Sequence, residues 1–525
     1  MIPRPRRRSL RGAIVALIVA AMAMTTAVPA QAASIVAISG SGSTWSQNAL
    51  DQWRRNVANN YAMTVNFSGT GSSAGRSDFI KGTVDFAVSE IPFQRAPEDG
   101  SAPEIPSRGY AYLPIVAGGT SFMYNLKIGG KKVTNLRLSG EVISKIFTGQ
   151  ISNWSDPAIQ ADNPGLKMPD KGITPVVRSD GSGSTAQFTK WMSDQYPAIW
   201  STGMTSQFPT ARVANAKAQN GSLGVAGYVS QNYGEGAITY VEYSYALKSG
   251  FPVAKVLNSS GYYIEPTASS VAVALLQAQI NTDAGSADYL TQILSGVYNS
   301  ADQRAYPLSS YSYMIVPTEL GGIFTEDKGY TLGEFTKYVV CEGQQQASAL
   351  GYSPLPMNLV QAAFAQIARV PGANAGSLNI GSCNNPTFSA DGSNKLASDA
   401  PYPADCDKQG TGNQCTTGTA GATEGTEVSG SGSGGSAAGA ATGGTAASAD
   451  AATAGGTSTA DAVYDANGNL VSGSTAQGGS AVSSPFTLAS ESWGPSQTGM
   501  LVAGVLLLGA ILVPPLFVRR SRAKR

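Results

Sequence analysis

The sequence predicts an α/β protein whose folded part forms two lobes on open sheets, and two observations predict it. A strand-like apolar run, a turn of glycine and small hydroxyl residues, and a helix-like stretch follow one another three times, which is the alternation expected of α/β layers. The tract carrying this alternation, residues 34–394, is longer than one ordinary core fills, and so calls for two lobes.

Taken in order, residues 1–33 read as a secretory signal peptide. Arg4, Arg6, Arg7, Arg8 and Arg11 precede an apolar run over residues 12–24, and Ala30-Gln31-Ala32 offers a small-residue cleavage site. The first repeat pairs a strand over 35–38 with the turn Ser39-Gly40-Ser41-Gly42-Ser43-Thr44-Trp45 and a helix over 48–57, where Leu50, Trp53 and Val57 share one face. The second has a strand over 63–67, a turn over 68–75 and an apolar helical pair, Phe79 and Ile80. The third has a strand over 174–177 followed by Arg178-Ser179-Asp180-Gly181-Ser182-Gly183-Ser184-Thr185. Tyr240, Tyr243 and Tyr245 alternate as on a strand and are expected to pack.

The third turn has the chemistry of an anion cradle. Glycines let backbone amides turn inward, serines add hydroxyl donors, the following helix presents unpaired amides, and arginine supplies a planar fork for oxyanions. In an open α/β sheet such turns gather at the carboxyl ends of strands, where ligands bind. A net charge of +1 and 13% charged residues give no footprint for nucleic acid. With no histidine in the chain, Ser-His and Cys-His catalysis and the usual zinc ligand are excluded, and neither a metal nor a cofactor is expected.

Toward the C-terminus, Cys341, Cys383, Cys406 and Cys415 stand in an exported tract, so two disulfides are expected. Three connectivities are possible, and order and loop length favour Cys341 with Cys383 and Cys406 with Cys415. Residues 395–410 form a disulfide-containing extension, and 411–497 are a Gly/Ser/Ala/Thr-rich linker that cannot bury a core. Residues 499–518 are apolar over the length of a transmembrane helix, and the basic tail 519–525 places that end in the cytoplasm with the folded part outside.

Several motifs together resemble one family. They are residues 65–75, Thr83-Val84-Asp85-Phe86-Ala87-Val88-Ser89-Glu90, Ile146-Phe147-Thr148-Gly149-Gln150-Ile151-Ser152-Asn153-Trp154, residues 163–167, residues 176–184 and Tyr240-Val241-Glu242-Tyr243-Ser244-Tyr245-Ala246. In this order they resemble the phosphate-binding protein that serves the high-affinity phosphate ABC importer, a periplasmic-binding-protein-like fold with two hinge-connected open sheets. The resemblance implies lobe I over 34–118 and 308–394, lobe II over 119–307, and hinge strands near 116–119 and 306–314. It implies phosphate contacts from Thr44, Trp45, Ser72, Glu90, Arg178, Ser182, Gly183 and Ser184, with Asp180 holding Arg178 from behind. Trp45 replaces the family's phenylalanine, Ser184 its threonine, and Glu90 its aspartate. A buried carboxylate there accepts the proton that phosphate still carries and repels sulfate, which carries none.

The resemblance, together with the C-terminal segments that supply the tether, implies a membrane-tethered, monomeric receptor that captures inorganic phosphate and delivers it to an ABC permease, with no catalytic residue. Three alternatives stand beside it: a binder of another oxyanion, a surface display or sensing protein, and a phosphatase using Ser182 or Ser184. The last would need a base that only Asp180, Glu90 or a lysine could supply.

Overall fold

The computed structural model describes residues 34–422, apart from 284, 287, 288, 290 and 390, together with a short strand pair, Val463–Tyr464 and Leu470–Ser472. The expected signal peptide, the transmembrane helix over 499–518, the basic tail and most of the linker lie outside the described residues. Among the described residues no helix is long and apolar enough to cross a membrane.

Strand β1, Ile38–Gly42, begins where the first apolar run ends and continues through glycine and serine. The reason is packing: a Cβ on Gly40 would stand 2.2 Å from the Phe86 ring, and Gly42, at φ +136°, lies against the Val88 backbone. The expected first turn is therefore largely strand, and only residues 43–46 turn. Helix α1, Gln47–Tyr61, buries Ala49, Leu50, Trp53 and Val57, as its spacing predicts. Then come β2, Val65–Ser68; α2, Ser72–Lys81; β3, Phe86–Ser89; and β4, Tyr110–Tyr124, buried from Ala111 to its end.

The second lobe is built on β5, Thr174–Arg178; α3, Gly183–Gln195; β6, Lys217–Gln219; α4, Gly221–Ser230; and β7, Ala237–Glu242. Helix α5, Tyr243–Ser249, follows β7 directly because Glu242 caps it, accepting from the Ser244 amide at 2.8 Å. Tyr243 and Tyr245 consequently lie on a helix, not on the strand that their alternation suggests; both are buried, as is Tyr240. The chain returns to lobe I through β8, Ser309–Pro317, and continues as α6, Glu326–Val340, and α7, Met357–Ile367.

The two expected sheets are fused into one of eight strands, in the order β2-β1-β3-β8-β4-β7-β5-β6. Strand β4 is long enough to serve both lobes: β8 pairs with it over residues 110–119, and β7 takes residues 120–124. The two expected hinge segments pair with each other, Ser309 opposite Gly119 through Ser312 opposite Val116. The register slips between Ser312 and Tyr313, beside Pro114, which has no amide hydrogen to give the ladder. The carbonyl of Ile115, left over at this bulge, accepts from Gln344 Nε2 at 2.8 Å.

Cys341 is bonded to Cys383 and Cys406 to Cys415. After the first bridge Asn385 Nδ2 donates to the Leu355 carbonyl of lobe I at 3.0 Å. The chain then crosses to lobe II, where Arg304 Nη1 donates to the carbonyls of Ala397 and Ala400 at 3.2 and 3.3 Å. The second bridge is pinned there by Arg137 Nη1 on the Cys406 carbonyl, 2.7 Å, and by Lys255 paired with Asp407, 2.6 Å. Residues 411–422, expected to begin the linker, belong to this packed segment: Thr419 Oγ1 donates to the Val253 carbonyl at 2.6 Å, and Gln414 and Ala420 are buried.

Candidate functional site

The carboxyl ends of β1, β2, β3, β5 and β6 open on one place, which is the position that an open α/β sheet offers a ligand. Helices α2, α3 and α4 start there at Ser72, Gly183 and Gly221, and helix N-termini gather amide donors; the first two amides of α4 are spent on Asp180 and Thr44. Thr44, Ser72 and Glu90 come from lobe I; Arg178, Asp180, Ser182, Gly183 and Ser184 come from lobe II. The lobes meet at these residues, since a Cβ on Gly183 would stand 2.0 Å from Glu90 Oε2 and 2.7 Å from Ser72 Oγ. The Ser73 amide also donates to the Gly181 carbonyl at 3.1 Å across the same seam.

Arg178 is 3% exposed and fixed as expected by Asp180. Its Nε donates to Asp180 Oδ1 at 2.7 Å and its Nη2 donates to Oδ2. Burial would raise the Asp180 pKa, but the hydrogen bonds and charge of Arg178 outweigh it and hold the carboxyl below its ordinary value. The Tyr240 hydroxyl lies under this turn, 2.7 Å from Thr185 Oγ1, and accepts from the Arg178 amide at 3.3 Å. Burial pushes its phenol up to about 12, so it stays neutral.

Ser182 Oγ accepts from the Thr185 amide at 3.2 Å and so caps α3. Ser184 Oγ is buried with no hydrogen-bond partner among the described residues. An unpaired buried hydroxyl costs about 1–3 kcal/mol, and a bound oxyanion would give it a partner.

Glu90, 1% exposed, is no surface charge. Its Oε1 accepts from Ser43 Oγ at 2.5 Å and Ser312 Oγ at 2.9 Å, and its Oε2 from Ser72 Oγ at 2.7 Å. The Ser72 hydroxyl, expected to serve the anion, thus donates its one proton to Glu90. Trp45 contributes chiefly packing: its ring meets Tyr352 edge-on with centroids 5.7 Å apart, and its amide donates to Ser43 Oγ at 3.0 Å. The turn is held from behind, where the Tyr245 hydroxyl donates to the Thr44 carbonyl and that of Tyr352 to the Trp45 carbonyl, at 2.5 and 2.7 Å.

Three further serines belong to the site. Ser222 lies 2.9 Å from Thr44 Oγ1 through its hydroxyl, donates to the same atom through its amide at 3.0 Å, and accepts from Arg178 Nη1 at 3.3 Å. Its turn, Asn220-Gly221-Ser222, is a fourth strand-turn-helix unit, with Gly221 at φ +67° and its amide on Asp180 Oδ1 at 2.9 Å. That pattern was available in the sequence. Ser43 sits in the first turn, whereas Ser312, in the middle of a strand, carries no local signal.

The arrangement is a cross-lobe cradle of hydroxyls, helix amides and one guanidinium, with two carboxylates: Asp180, which holds that guanidinium, and Glu90, which accepts only from hydroxyls. A family model described as a PBP superfamily domain matches residues 27–342, more than half of the chain. The chain belongs to the PBP superfamily. Within it, the chain is 31% identical over 343 residues to the phosphate-binding protein PstS of Xylella fastidiosa, covering 64% of this chain and 86% of that one. It is 29% identical over 362 residues to the PstS of Pasteurella multocida, covering 67% and 94%, and 28% identical over 320 residues to PstS 2 of Mycobacterium tuberculosis, covering 60% and 82%. A solved high-affinity periplasmic phosphate-binding protein with bound phosphate superposes with a TM-score of 0.51 at 19% identity, over 67% of this chain and 99% of that one, which shows the shared fold. The resemblance to phosphate-binding proteins seen in the sequence motifs therefore holds. The family model ends at residue 342, so the segment from Cys383 to Ala422 that recrosses to lobe II lies beyond it.

Proposed function

We propose that this chain captures inorganic phosphate between its lobes and delivers it to an ABC permease. The observation that carries the reading is Glu90: a buried carboxylate held by three hydroxyls of lobe I, with Oε2 against Gly183 of lobe II. Donors alone would hold any small oxyanion, whereas a carboxylate at that place favours one that still bears a proton. The relatives named above support phosphate as that anion. Arg178, Ser184 and the first amides of α2 and α3 would take its unprotonated oxygens. No bond is made or broken: Ser182 Oγ serves as a helix cap, and the carboxylate beside Arg178 is committed to holding it.

The membrane role completes the proposal. A signal peptide over 1–33 would export the chain, and a helix over 499–518 would tether it through the linker beside its permease.

Calorimetric titration of phosphate and of sulfate into the full chain, stripped of bound anion, tests the binding. Phosphate should bind and sulfate should not, and Glu90→Gln, which offers an amide donor, should admit sulfate. Absence of phosphate binding by the unaltered protein would overturn the reading.

A further inference from the structure

We infer that Ser43 and Ser312 are positioning residues that make Glu90 a one-oxygen acceptor, and thereby set the selectivity of the cradle for a protonated oxyanion. This rests on the phosphate-binding reading. A carboxylate has about four acceptor sites, two on each oxygen. Ser43 and Ser312 fill both sites of Oε1, at 2.5 and 2.9 Å, and Ser72 fills one of Oε2, at 2.7 Å. The fourth site is on Oε2, the oxygen that faces Gly183 at the start of α3. A ligand hydroxyl arriving there finds one oriented lone pair, and an anion without a proton meets the same lone pair as repulsion.

The hinge strand is what makes this possible. Ser312 belongs to β8 and lies 222 residues from Glu90 in the chain. It stands opposite Val116 at the register slip, where the neighbouring strand carries the extra residue Ile115. The carboxylate torsion is otherwise broad, so a hydroxyl on Oε1 is what fixes the plane of the group. The longer glutamate side chain is accommodated at one end by these two serines and at the other by Gly183, whose lack of a Cβ leaves room for Oε2. Because Ser312 sits on the strand that joins the lobes, acceptor and hinge are mechanically one unit.

The test is a selectivity measurement on the full chain, with phosphate and sulfate as probes. Ser312→Ala should weaken phosphate by about tenfold, the size of one hydrogen bond to a charged group, and should not weaken sulfate, so that the ratio of the two affinities falls. Ser312→Thr should restore the ratio by restoring the hydroxyl. Ser43→Ala, on the opposite side of Oε1, should repeat the effect and provides a second variant if the first fails to fold. Ser310→Ala, which removes a buried hydroxyl with no partner among the described residues on the same strand, should leave both affinities unchanged. Unchanged phosphate-to-sulfate ratios in both Ser312→Ala and Ser43→Ala, or equal losses for the two anions, would overturn the inference while phosphate binding by the unaltered protein stands. Failure of the unaltered protein to bind phosphate would overturn both.

Discussion

The hydroxyl of Thr44 in lobe I meets the hydroxyl of Ser222 in lobe II at 2.9 Å, and the Ser222 amide donates to the same threonine oxygen at 3.0 Å. Both residues are buried, so these bonds form in a dry seam and depend on the lobes being together. Ser222 also accepts from Arg178, which ties closure to the guanidinium proposed to hold the anion.

Ser222→Ala should therefore weaken phosphate by about tenfold, because it removes a hydroxyl shared by Thr44 and Arg178. Calorimetry measures this directly. A thermal melt without phosphate should move much less, since the bonds it removes hold the two lobes together rather than the core of either one.

Asp180 gives a pH dependence with a definite sign. Its pKa in the folded protein lies below the ordinary value, against the pull of burial, through its hydrogen bonds to Arg178. The stabilisation it provides is fully present above the unfolded value of about 3.9 and is lost as pH falls through the depressed folded value. Chemical unfolding at neutral and at acid pH should show stability falling in acid, and Asp180→Asn should reduce that fall while costing phosphate affinity at neutral pH.

Gly183→Ala would put a methyl 2.0 Å from Glu90 Oε2 and 2.7 Å from Ser72 Oγ. Hydrogen bonds hold both neighbours in place, as Glu90 accepts from three hydroxyls, that of Ser72 among them. Overpacking of this kind costs about 1–3 kcal/mol, and here it falls on closure. Phosphate affinity should drop by about tenfold to a hundredfold in an anion titration, while helix content by circular dichroism should stay unchanged.

The two disulfides should differ in worth. Cys406 and Cys415 are 9 residues apart, and Cys341 and Cys383 are 42 apart. Loop closure gives about 3 and about 4 kcal/mol respectively. Paired alanine substitutions, followed by denaturant unfolding under oxidising conditions, should rank them in that order. Loss of the Cys406–Cys415 bridge should also speed protease cleavage within residues 406–422, whose anchorage on lobe II includes the Cys406 carbonyl held by Arg137.

Much of the site was legible in the chain because its parts are local. Arg178 and Asp180 are two residues apart, Ser182 caps the helix that follows it, and the Gly/Ser turns lie where strands end. Locality also misled. The run from Ser39 to Gly42 reads as a turn, yet it is a strand because the Phe86 ring occupies the space that side chains would need. The alternating tyrosines after Tyr240 read as strand, yet Glu242 caps a helix there.

By itself the sequence determined which segments supply donors, since glycine freedom, hydroxyls and one guanidinium are properties of a few neighbouring residues. It also determined that no histidine chemistry could operate. Only the tertiary structure decided which of these groups meet: Ser312 with Glu90, Thr44 with Ser222, and one strand shared by two lobes. Those pairings join residues 222 and 178 positions apart, and at such separations the partner is chosen by strand register and lobe closure, which no local pattern encodes.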